Sequence, residues 1–159
     1  MRTGLNGNVI WSAELGPDID RWMDLSAVCV SEEGIITIAH NVYGVYPDLG
    51  APRCEVTGLS MDGEVLWNHK TGAEVVNYLL PVKGGFLCVS QGRDTHNVLN
   101  DFLGEGWVLL LDADGNVKAA DSTPDIGGGK VEVYGVARGV NGEALLYGTV
   151  VDEPGFYSK

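Results

Sequence analysis

Polar and apolar residues alternate along most of this chain in short bursts, and the bursts are separated by turns rich in glycine. "SAVCVSEEGIITIAH" (26–40), "NYLLPVKGGFLCVSQ" (77–91) and "YGVARGVNGEALLYGT" (134–149) each read as strand, tight turn, strand. Alternation with a period of two is the pattern of a pleated strand. No segment shows a convincing apolar period of 3.6, so helix is expected to be scarce. A second motif keeps the same beat: "LNGNVIW" (5–11), "MDGEVLW" (61–67) and "ADGNVKA" (113–119). Its glycines, Gly7, Gly63 and Gly115, lie 56 and 52 residues apart.

The two motifs together divide the chain into units of four strands, named A to D. The expected D strands cover 8–14, 64–69 and 116–120. The A strands cover 25–31, 75–82 and 131–138, and the B strands cover 34–39, 85–90 and 143–149. The C strands cover 54–60 and 106–112, with a remnant at 156–159. Asn-Gly and Asp-Gly between apolar runs predict hairpins, with a type I′ turn as the expected conformation. "DADGN" (112–116) also admits another reading, because its alternating carboxylates and amide are spaced as in a calcium loop. The matching turns keep the glycine but not the carboxylates, and Thr123 stands at the twelfth position, where such a loop needs Glu. The hairpin reading is therefore preferred.

The hairpin motifs, followed by "GGFLCVSQG"-like strand pairs, resemble the repeats of bacterial β-propellers. "SMDGEVLW" (60–67) also resembles the Asp box of sialidase-type propellers, with Ser60, Asp62 and Trp67 in place and the glycine one position early. That box is a structural turn, so the resemblance implies architecture and no sugar chemistry. The fold class it implies is all-β, built of three propeller blades of about 52–56 residues in one domain spanning 1–159. Closed propellers typically need four to eight blades. The chain opens on a D hairpin that lacks a C partner and closes on the start of a C strand. The expectation is therefore a homodimer that completes one six-bladed ring by sharing blades, or else half of a longer propeller.

Composition narrows the partners. The 159 residues carry 22 acidic and 10 basic side chains, a formal charge of −12. Such a surface repels phosphate backbones, so nucleic acid is not an expected partner. No apolar run has the length needed to span a membrane. The three cysteines, Cys29, Cys54 and Cys88, show no CxxC spacing. Cys29 and Cys88 sit inside apolar runs and read as core residues, and free buried thiols fit a reducing compartment. "MRTGLNGNVIW" shows no secretory leader, so a cytoplasmic location is expected.

In the blade reading the A–B and C–D connections are short and share one face. The B–C and D–A connections are long and share the other, where binding residues are expected. Candidate ligand-binding residues there are Trp22, His40, Tyr43, Tyr46, Arg53, Arg93, Asp94, His96 and Asp152. Rings, guanidinium groups and imidazoles can grip a small molecule, a glycan or a peptide by stacking and hydrogen bonding. Each also has a plainer reading: a histidine at a strand end satisfies structure, and a tyrosine pair packs loops. "RDTH" (93–96) places an acid and an imidazole two apart, as an acid/base or metal pair would. HxH, HExxH and GxSxG spacings do not occur, and "GGGK" (127–130) lacks the phosphate-loop pattern. No metal, cofactor or catalytic set is expected. The leading expectation is a non-enzymatic binding module. The alternatives are a hydrolase or lyase acting on glycans from an axial pocket, and a scaffold that only self-assembles.

Overall fold

The computed structural model describes residues 1–12, 22–43, 53–71, 75–90, 106–123 and 130–151. Among them the protein is all-β, with twelve strands and no helix. Two four-stranded antiparallel meanders form its centre. The first contains β3 (Trp22–Val30), β4 (Ile36–Tyr43), β5 (Arg53–Leu59) and β6 (Val65–Lys70), paired in chain order. The second contains β7 (Tyr78–Val82), β8 (Gly85–Val89), β9 (Trp107–Asp112) and β10 (Val117–Ser122), again in chain order. A two-stranded sheet flanks them at each end of the chain: β1 (Arg2–Thr3) with β2 (Val9–Trp11), and β11 (Lys130–Arg138) with β12 (Ala144–Val151). β7 lies against both β3 and β11, so the first strands of successive sheets are neighbours.

The expected strands are found within a few residues, with three differences. The D strand at 8–14 is confined to Val9–Trp11 among the described residues, and it does have a partner, because Arg2 pairs with Trp11 and Thr3 with Val9. The A strand expected at 75–82 begins at Tyr78, although Val75 and Val76 ahead of it are buried. The C remnant at 156–159 lies outside the described residues.

The turn type also differs. A type I′ turn needs positive φ at both central residues, yet positive φ occurs only at glycine among the described residues. Five hairpins share one construction instead. In the turn at Ser60–Glu64, Gly63 N donates to Ser60 O and Ser60 N donates to Glu64 O. Met61 and Asp62 keep the usual negative φ, and only Gly63, at +88°, enters the left-handed region. This is a type I turn closed by a glycine bulge. The same pair of bonds closes the turns that begin at Gly4, Ser31, Asp112 and Gly139. Asn or Asp before glycine signals the hairpin correctly, but not by adopting positive φ itself.

The first residue of several turns staples the loop. Ser60 Oγ accepts from the backbone N–H of Asp62 and of Glu64, each at 3.2 Å. Asp112 does the same more strongly, since Oδ1 accepts from Asp114 N at 3.0 Å and Asn116 N at 2.8 Å. Its Oδ2 stands 3.3 Å from both Asn116 Nδ2 and Lys118 Nζ. In "DADGN" the first carboxylate is engaged by the turn's own donors, as a hairpin staple would be. No group of three potential metal ligands occurs among the described residues.

Consecutive sheets are joined by a repeated contact. Trp11, at the end of β2, lays its indole over Gly63 in the turn of the first full sheet and donates Nε1–H to Met61 O at 2.7 Å. Trp67, on β6, lays its indole over Gly115 in the turn of the second sheet and donates Nε1–H to Ala113 O at 2.8 Å. Both glycines are required: their φ is left-handed, and an added Cβ would fall within 2.8 Å of the ring. Beneath this outer contact, the first and second sheets pack Ala39, Cys54, Val56, Val76, Leu79, Cys88, Leu109 and Leu111 into one core. At about 25 cal/mol per Å², burial of such side chains supplies most of what holds the two sheets together.

Candidate functional site

The strand registers gather four of the nine expected residues at one end of the first sheet. Trp22 pairs with Tyr43, His40 with Leu25 on one side and Glu55 on the other, and Arg53 with Val42. This is the end of the sheet at which β4 finishes and β5 begins. Tyr46, Arg93, Asp94, His96 and Asp152 lie outside the described residues.

His40 is the best-defined of the set. It is buried, at 4% exposure, and its Nε2 stands 3.7 Å from Glu55 Oε2. Glu55 is buried as well, and Asn68 Nδ2 donates both to Glu55 Oε2 at 3.3 Å and to Thr57 Oγ1 at 2.8 Å. A polar ladder thus crosses β4, β5 and β6. Burial lowers the pKa of His40 below the usual imidazole range, and the neighbouring Glu55 opposes that shift without cancelling it. The ring is therefore neutral at neutral pH. Its Nδ1 has no hydrogen-bond partner, nor do Asn41 Oδ1 and Thr37 Oγ1 on the same strand. Three buried polar atoms without a partner among the described residues, within the five positions 37–41, are costly, at roughly 1–3 kcal/mol each.

Chemically, a neutral imidazole next to a carboxylate can orient a hydroxyl or amide and can exchange a proton. His40 is enclosed, however, and its ring does not reach outward to solvent.

Glu55, Asn41, Thr37 and Asn68 were not singled out from the sequence. A signal was present in Thr37, Asn41 and Glu55, buried polar residues that interrupt otherwise apolar strands. It could be read only once the register had shown which positions face inward.

A second polar cluster lies at the C-terminal pair of strands. Tyr134 Oη donates to Glu132 Oε2 at 3.0 Å, Thr149 Oγ1 donates to Tyr134 Oη at 3.2 Å, and Tyr78 Oη donates to Val133 O at 3.4 Å. Burial raises the pKa of Tyr78, with Tyr147 and Glu132 nearby adding to the effect. Tyr78 thus bridges the second sheet to the pair β11–β12. On the short-turn side, Arg138 Nη1 donates to Glu32 Oε1 at 2.7 Å, which ties the end of β11 to the turn after β3. That pair is solvent-exposed and worth at most about 1 kcal/mol.

Cys88 lies in the core and Cys29 packs half-buried against it, as expected from their apolar runs, and Cys54 is buried in the core as well. Cys29, Cys54 and Cys88 are free thiols. Burial pushes the pKa of Cys29 and of Cys54 up to about 12, and that of Cys88 upward as well. None is a nucleophile at neutral pH.

Comparison with known proteins adds no family. No family model matches the chain, and no curated protein sequence matches it.

Proposed function

We propose that this protein is a β-propeller interaction module: its sheets are blades, and it binds a ligand at the face that carries the long connections. The observation that carries the reading is the repeated joint between sheets. Meanders of the same strand order follow one another with their first strands adjacent. An indole from β2 and one from β6 each reach the turn of the next sheet at the same place. Blades around an axis have this relationship. Two copies, each contributing its two full blades and two half blades, would complete a six-bladed ring.

Trp22, His40, Tyr43 and Arg53 gather at one end of the first blade. This mixture of aromatic and cationic side chains suits a glycan or a peptide with an acidic group. Binding is favoured over catalysis because His40 and Glu55 are both enclosed. They shape the floor of such a site more readily than they attack a substrate.

The test is a thermal-shift screen of oligosaccharides and acidic peptides, repeated with Tyr43→Ala and Arg53→Ala. A ligand that stabilises the native chain and loses its effect in both variants supports the reading. A hydrolysed glycan, with its rate abolished by Glu55→Gln, would replace it with the hydrolase alternative.

A further inference from the structure

The turn Gly4–Asn8 is closed by the same bonds as the turns that carry an indole: Gly7 N donates to Gly4 O, and Gly4 N donates to Asn8 O. Gly7 has the same left-handed φ, at +81°. Yet a Cβ added at Gly7 would meet nothing within 4 Å, whereas Gly63 and Gly115 each lie beneath an indole ring. The seat is built but carries no indole among the described residues.

The strand next in line to supply that ring is β10, and it carries Ala119 where β2 has Trp11 and β6 has Trp67. The cross-strand partner is changed too. Trp67 stands opposite Gly58, and an added Cβ at Gly58 would collide with the ring. Ala119 stands opposite Leu110. Large and small have changed places, so β10 holds no ring out toward a following turn.

Other surfaces at the two ends fit this seat. On β3, Leu25, Val28 and Val30 are 67%, 57% and 50% exposed. On β7, which is the first strand of the second sheet and is covered by the first sheet, Leu79 is only 8% exposed. At the other end of the molecule, β12 exposes Leu145 and Tyr147. β1–β2 and β11–β12 are separate two-stranded sheets, which in the strand order of the full sheets would correspond to the last two and the first two strands. Laid side by side, they would repeat on β3 the packing the chain already uses between its full sheets.

We propose that the Gly4–Asn8 turn, the free edge of β1 and the bare face of β3 receive the C-terminal end of a second copy of this chain, with β12 pairing along β1 and Ala119 opposite Gly7. This rests on the blade assembly proposed above and assigns its junction. The junction between copies is thus the one joint made without an indole, and it is the weakest in the ring. The charge of −12 on each copy loosens it further, so added salt strengthens it.

The experiment is sedimentation equilibrium over a range of concentrations. The variant Leu110→Gly/Ala119→Trp recreates the Gly–Trp pair. It is expected to lower the dimer dissociation constant roughly ten- to a hundredfold, as burial of an indole and one new hydrogen bond would. Adding Gly7→Asn, a residue that tolerates left-handed φ, fills the seat from below and reverses the gain. An independent variant, Val28→Glu/Val30→Glu, alters only exposed positions and is expected to give a folded monomer. A native chain that stays monomeric at all concentrations overturns both the assembly and its junction. A native dimer that the tryptophan variant does not tighten overturns the assignment of Ala119 to Gly7 alone. A dimer that survives the glutamates overturns the role of β3, whether or not the tryptophan variant folds.

Discussion

Trp67 and Gly115 are 48 positions apart in the chain and in van der Waals contact in the fold, the indole lying flat where a side chain on the glycine would have to stand. The same ring is hydrogen-bonded to Ala113 O and tilted against Phe86, with centroids 5.8 Å apart. One side chain therefore ties a strand of the first sheet to the turn and core of the second.

Removing it should be expensive. Trp67→Ala is expected to destabilise the protein by about 3 kcal/mol, since a half-buried ring and its hydrogen bond are lost together. Trp67→Phe keeps most of the packing and should cost about half as much. Gly115→Ala loses contact and φ at once and should cost about 2 kcal/mol. Urea unfolding with a constant slope measures all three, and an unchanged midpoint for Trp67→Ala would refute the joint.

Protonation of His40 gives an acid-sensitive element. Its pKa is lowered in the folded state, so the unfolded chain binds this proton more readily. Stability is full above the unfolded value of about 6.5 and falls as the pH drops from there toward the folded pKa. His40→Gln should flatten this part of the stability–pH curve. Denaturant midpoints between pH 5 and 7.5, compared for the two proteins, check the sign.

Asp112 works in a lower window. Acceptance of the Asn116 backbone N–H, with help from the Asn116 and Lys118 side chains and the Asp114 N–H, holds its carboxyl below the usual carboxylate range. Its contribution is present above the unfolded pKa, near 4, and disappears as the pH falls through the folded one. Asp112→Ser copies the staple seen at Ser60 and should keep the turn while removing this acid dependence. Asp112→Ala should lower the denaturant midpoint at neutral pH, because two turn donors are left to water.

The thiols should report unfolding. A pKa near 12 in place of about 9 lowers the thiolate population of Cys29 and Cys54 about a thousandfold at pH 8. An aromatic disulfide reagent is expected to find no rapidly reacting thiol in the native protein and three in denaturant. Rapid native labelling of Cys54 would contradict the buried core between the sheets.

Much of this fold could be read from the chain because its turns repeat. The glycines of "NG" and "DG" mark hairpins by a backbone requirement that is local, and local requirements survive in sequence. The turn's type was less legible, because Asn6, Asp62 and Asp114 suit either of two turns and the choice depends on strand twist. The short partner Arg2–Thr3 was missed because two residues carry no periodicity. The candidate site was legible at His40 alone among the described side chains. Its neighbour Glu55 is fifteen positions on, and only the register of β4 on β5 brings the two together. The indole joints were visible as a recurring tryptophan, but nothing local says that the ring is used by the following unit and not by its own.

The direction of those joints has a geometric consequence. Trp11 reaches forward to the turn at Gly63, and Trp67 reaches forward to the turn at Gly115. The array therefore has a head and a tail, like a row of bricks with tongues on one side and grooves on the other. Copies joined by these surfaces can meet only nose to tail, never back to back. A nose-to-tail row closes into a ring when the angles of its joints sum to a full turn, and within the chain that angle is set by how deeply each indole seats over its glycine.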